Sequence, residues 1–260
     1  MATYTIDGKT LTNIADAIRA KSGETEALTP SQMAEKISGI GGGDNYYDVF
    51  WDAYQDNGVR NDYRSAFGRG WTANNFKPKY NIVPSSTLAT SLFNACQCEG
   101  DLVEICENQG IEIDFSNVTY FEYLFYSTQF TRIGIVDASK AERFSNVFNY
   151  SSKLKTIDKI IVNENVPLNN SFGGDRALEE IRFEGVIGKN VTLNECAKLS
   201  KASITNIINT ASPTISFTVT LSKAAVNKAF ETSTNANDGS NSDEWKNLIA
   251  TKTNVTISLS

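Results

Sequence analysis

From Phe93 onward the chain repeats itself, and a repeat dictates architecture before any single residue does. The motif Phe-x5-Leu-x2-Ile fits Phe148, Leu154 and Ile157, and again Phe172, Leu178 and Ile181. One turn earlier Phe125, Phe130 and Ile133 fit with one residue fewer; one turn later Leu193 and Leu199 keep the spacing with a degenerate third position. Phe93, Leu102 and Ile105 open the series with a small insertion. Anchors 125, 148, 172 and 193 are 23, 24 and 21 residues apart, inside the roughly 20–29-residue window of repeats that place one strand in each coil. The spacing predicts a solenoid. Each Ile leads into a short alternating stretch, over 111–115, 133–136, 157–162 and 181–184, whose inward residues stack in ladders while outward residues line an exposed sheet face. Three residues after each anchor stand Cys96, Thr128, Ser151, Asp175 and Cys196. Small side chains suit a tight coil, so Cys96 and Cys196 read as packing residues in preference to a metal or disulfide set with Cys98 and Cys106.

The flanks differ in texture. Residues 1–43 read as a helical hairpin and a glycine linker: Leu11, Ile14, Ala15 and Ile18 share one helical face, and Thr29, Pro30 and Gln32 open a second helix carrying Met33, Ile37 and Ile40. So small a hairpin buries little alone, and its stripe is expected to pack on a copy of itself or on a host assembly in preference to packing back on its own chain. Residues 44–92 concentrate aromatic side chains and read as an N-terminal cap over the open end of the repeat, in preference to a sugar-stacking box. The repeats occupy 93–212. Residues 213–260 read as a C-terminal cap: a strand over 215–221, a helix capped by Ser222 with Leu221 and Val226 as its staple, a second helix with Trp245, and a closing strand at Val255–Leu259.

Composition removes much enzymology. The 260 residues include no His, which excludes Ser-His-Asp and Cys-His catalysis and the usual mixed Cys/His zinc sites. A net charge of −6 without any Lys/Arg cluster argues against a nucleic-acid partner. Of that charge, −5 falls on residues 44–212. No apolar run reaches the ~18 residues of a membrane span, and the opening residues lack the basic and apolar regions of a signal peptide, so synthesis and use without export through one is the expectation. No cofactor is implied. The 26 Asn residues favour turns and stacked loops.

The segment from Leu11 to Ile40 is similar to the N-terminal segment of tail-associated proteins of phages and prophages of Gram-positive bacteria. The stretch Phe50 to Gly58, followed by Tyr63, Ala66-Phe67-Gly68, Gly70-Trp71 and Phe76 to Tyr80, resembles what precedes BspA-type leucine-rich repeats in such proteins. Leu221 to Val226, Glu244-Trp245 and Val255 to Ile257 resemble their usual ending. The resemblance implies an α+β chain, with a BspA-like leucine-rich-repeat solenoid between a helical anchor and a mixed strand and helix cap. It also implies a non-enzymatic virion component of the tail tip or fibre, made in the host bacterial cytoplasm. Residues 1–40 would join other tail proteins, with Leu11, Ile14, Ile18, Met33 and Ile37 as assembly contacts, in a homo-oligomer that is a trimer by analogy with tail fibres. The outward residues Glu112, Asp114, Arg182 and Glu184 would meet a host-surface glycan or protein by many weak contacts. The acidic balance favours cationic or neutral surface groups. Other readings are a head decoration protein, a bacterial surface adhesin, or a glycan hydrolase drawing on the plentiful carboxylates, among them Asp101, Glu104, Glu107, Glu179 and Glu180.

Overall fold

The computed structural model describes residues 12, 14–19, 67, 81–84, 89–168, 170–231 and 241–260, in two compact units, Met1–Arg60 and Asn61–Ser260. In the first unit residues 14–19 are helical, with Ala15 and Ile18 buried and Ile14 half-buried. Leu11, Met33, Ile37, the second helix, the glycine linker and most of the aromatic segment lie outside the described residues.

The second unit is mixed α/β with two parallel sheets and no closed barrel. Strands β1 (Gly100–Asp101), β2 (Phe130–Asp137), β3 (Thr156–Val162) and β4 (Glu180–Gly185) form one sheet in that order. Strands β5 (Val191–Leu193), β6 (Phe217–Leu221) and β7 (Val255–Leu259) form the other. Helix α1 (Leu102–Glu107) follows β1; α2 (Lys201–Thr210) lies between β5 and β6; α3 (Lys223–Phe230) and α4 (Asp243–Ala250) precede β7.

Between β2, β3 and β4 the register steps evenly: Arg132 faces Thr156 and Thr156 faces Glu180, 24 residues each time. The segments ahead of the strands stack in the same way. Phe93 N–H donates to the Leu124 carbonyl at 2.8 Å, Phe125 N–H to Val147 at 2.8 Å and Phe148 N–H to Ser171 at 3.0 Å, so each segment satisfies buried backbone of the one before. The anchor phenylalanines form one column. Ring centroids step 5.4 Å from Phe67 to Phe93, 5.0 Å to Phe125, 5.8 Å to Phe148 and 5.5 Å to Phe172, with interplanar angles of 21° or less. All five rings are buried.

Four of these stacked segments each reverse through two left-handed residues. Ser91, Tyr123, Asn146 and Asn170 hold φ between 53° and 59°, and four positions later Ala95, Ser127, Tyr150 and Gly174 hold φ between 57° and 81°. Asn and Gly accept this conformation at least cost, which gives Asn146 and Asn170 their place.

Three expectations are corrected. The stretch 111–115 is not a strand of the first sheet: it makes a single bridge, Ile113 to Ile82, and the sheet begins instead at β1. The insertion after Phe93 supplies both β1 and α1, because Asp101 Oδ1 accepts the N–H groups of Val103 (2.8 Å) and Glu104 (3.1 Å) and so starts a helix. The degenerate coil after Leu199 is α2, capped by Ser200 and burying Ile204, Ile207 and Ile208 on one face, while β5 pairs with β6. The end of the chain has the expected order of strand, two helices and strand, but Ser222 makes no side-chain capping bond, whereas Ser242 Oγ accepts the Trp245 N–H at 3.3 Å. Trp245 is fully buried against Phe230.

Candidate binding face

The outer face of the first sheet is organised by Arg132. Its guanidinium makes a two-pronged contact with Asp158 of β3, both bonds at 2.7 Å, and donates to Asp101 Oδ2 at 3.1 Å. Hydrogen bonds to these two carboxylates hold Arg132 firmly charged, its pKa pushed further above the usual range. Asp101 therefore serves twice, as cap of α1 and as an arm of a clasp across three strands. Helix α1 approaches the sheet closely at Gly134: a Cβ there would stand 3.0 Å from Val103 Cγ2, so the valine would have to give way by a few tenths of an ångström.

Beside this clasp runs a groove of about 580 Å³, bounded by α1, by the 111–115 segment and by β2. Glu107, Glu112 and Asp114 give it an acidic rim, the Asp158 charge being met by Arg132, and Ile135, 53 % exposed, gives it an apolar floor. Glu112 sits on fixed backbone: its N–H donates to Asn81 Oδ1 at 2.9 Å and its carbonyl accepts from Ile82 N–H at 2.7 Å. Asp114 accepts the Ser116 N–H at 2.8 Å, which orients its carboxylate at the groove end.

The structure thus brings Glu112 and Asp114 together and leaves Arg182 and Glu184 elsewhere. Both of the latter are exposed on β4, where Glu184 pairs with Lys159 of β3 at 2.6 Å and Arg182 has no ion-pair partner among the described residues. Arg132, Asp158 and Ile135 are the groove residues that the sequence pattern does not single out. The only available signal was their outward position on strands one period apart.

One other carboxylate has a structural duty. Glu180 accepts from the hydroxyls of Ser200 at 2.8 Å and Ser203 at 3.1 Å, at the start of α2. The four cysteines are free and buried. Burial pushes the Cys96 thiol up to about 12 and those of Cys98 and Cys106 to about 11, and it raises Cys196 well above its ordinary value. Metal binding requires the thiolate, which burial opposes. Among the described residues no group of three or more Cys, Asp or Glu is placed to hold a metal ion, and no helix is long and apolar enough to cross a membrane. The arrangement offers rigid, outward side chains suited to surface contact. Comparisons with protein-family models, curated proteins and solved structures yield no match for this chain.

Proposed function

We propose that this chain is a non-enzymatic phage virion protein of the tail tip or fibre, in which a BspA-like leucine-rich-repeat solenoid displays a rigid face to the host surface. The observation that carries the reading is the in-register stack, a 24-residue step between strands with one phenylalanine column running through it. Stacking of this kind fixes outward residues of several coils in one array, and many weak contacts multiply with copy number on a particle. Glu112 and Asp114 are the groove contacts for cationic or neutral surface groups, with Arg182 and Glu184 on β4 as a second set. Residues 1–40 attach the chain to other tail proteins as a homo-oligomer. Ile18 is already covered within the chain, whereas Ile14 is half-buried and is open to meet another subunit.

Immunogold labelling of intact particles tests the placement. Label at the tail tip is the expected result, and tails that lack the protein overturn it. Binding of the full chain to Gram-positive cells tests display; release of reducing sugar from purified walls would sink the non-enzymatic reading.

A further inference from the structure

We propose that Tyr123, Tyr126 and Tyr150 form a strip on the reversing edge of the coils that binds neutral saccharide. The inference rests on the display reading and names a ligand class and a second face for it. Tyr126 lies between the other two, its ring centroid 5.4 Å from each, at interplanar angles of 66° and 71°. The strip opens to solvent: Tyr150 is 60 % and Tyr123 39 % exposed, while Phe125 and Phe148 are fully buried.

Two observations separate this strip from incidental surface tyrosines. Tyr123 and Tyr150 occupy the left-handed positions, with φ of 58° and 63°, where the following coil has Asn146 and Gly174. The turns at Ser91, Ala95 and Ser127 hold the same backbone, so it belongs to the turn, and what distinguishes this strip is a bulky ring at a position where bulk is disfavoured. The next coil also makes room for the ring, since a Cβ at Gly174 would stand 2.9 Å from Tyr150 Cδ1. The phenol hydroxyls of all three tyrosines have no hydrogen-bond partner among the described residues, so they are open to a ligand.

The chemistry of the strip selects its occupant. Rings and hydroxyls stack on the C–H faces of a pyranose and bond its hydroxyls. Formal charge is balanced nearby: Glu122 pairs with Arg143 at 3.5 Å, and Lys153 pairs with Glu99. Asn149 beside the strip is neutral, held by Gly173 N–H at 2.7 Å and by Asn146. The exposed parts of three tyrosines amount to roughly 300 Å², well short of the roughly 800 Å² per side of a standard protein interface. A short neutral glycan fits that area, and an anionic polymer finds no surplus of positive charge.

The test uses the full chain and the double variant Tyr123→Asn, Tyr150→Gly, which takes the residues of the following coil and so keeps the left-handed backbone. Both are titrated with a chitotetraose, a maltotetraose and poly(glycerol phosphate). At least one neutral oligosaccharide is expected to bind the parent chain, insensitive to salt, and to bind the variant at least tenfold more weakly. Equal binding by the variant, binding only to poly(glycerol phosphate), or no neutral binding overturns the proposal. Intact Gram-positive cells separate it from the display reading: equal retention of parent and variant on cells sinks the strip alone. Neutral oligosaccharide binding without cell retention sinks display alone.

Discussion

Asp175 is fully buried in the column that also holds Thr128 and Ser151. Ser151 N–H donates to its Oδ1 at 3.0 Å, and Oδ2 has no partner among the described residues. Burial lifts its pKa to about 9, against about 4 in an unfolded chain. Below pH ~4 both states hold the proton. As pH rises further the unfolded chain releases it while the folded chain keeps it, so stability falls up to about pH 9 and then levels. Asp175→Asn copies the shape of the protonated acid and cannot ionise. The variant is expected to match the parent near pH 4 and to exceed it by ~2–4 kcal/mol near pH 8 in urea unfolding. A difference that does not widen with pH contradicts this. The cysteines give a second prediction from the same physics. Thiols at about 11 to 12 hold almost no thiolate at pH 8, and the thiolate is the nucleophile. An aromatic disulfide reagent is therefore expected to leave the native chain unlabelled and to count all four thiols after denaturation; rapid native labelling would refute it.

At the scale of elements, the first sheet ends at β4, whose outer edge would be an open template for another strand. Helix α2 closes it with side chains. Asn206 Oδ1 accepts the Phe183 N–H at 2.6 Å and its Nδ2 donates to the Phe183 carbonyl at 3.1 Å, while Ser203 Oγ accepts the Ile181 N–H at 3.0 Å. One amide thus substitutes for a neighbouring strand. Asn206→Leu keeps the bulk and leaves both Phe183 groups without these partners, so a loss of ~1–3 kcal/mol is expected. Greater self-association by light scattering should accompany it; unchanged stability and dispersity would show that the edge does not need the cap. This element also marks where sequence reading stops. Ser200 followed by Ile204, Ile207 and Ile208 is a local helix signal, hidden because the repeat spacing claims the same residues for another coil. The bond from Asn206 to Phe183 spans 23 positions and has no local signature. The phenylalanine anchors were legible because a fixed period and a single residue type coincide. The left-handed tyrosines were not, since Tyr ordinarily avoids that conformation.

The whole molecule divides at Arg60, and the second unit carries both sheets and the phenylalanine column. The groove residues Glu112 and Asp114 were legible as outward residues, although the strand assigned to them proved to be a single bridge to Ile82. That bridge decides where the chain can be cut. Phe67 stacks on Phe93 at 5.4 Å and donates its N–H to the Leu92 carbonyl at 2.8 Å. Asn81 and Ile82 bond the backbone of Glu112, and Ile82 also accepts the Asp114 N–H at 3.0 Å. A chain starting at Asn61 keeps all of these contacts; one starting at Phe93 loses them, baring an aromatic ring and unpaired backbone at the first coil. The 61–260 chain is expected to run as a folded species on size exclusion, with parental helix and strand content, to retain cell binding and to fail to join particles. The 93–260 chain is expected to aggregate or to melt well below it, because uncovering one face of Phe93 removes about 1 kcal/mol on top of the lost backbone hydrogen bonds. Equal melting of the two chains would show that residues 61–92 do not cap the phenylalanine column, and incorporation of 61–260 into particles would remove the N-terminal segment from assembly.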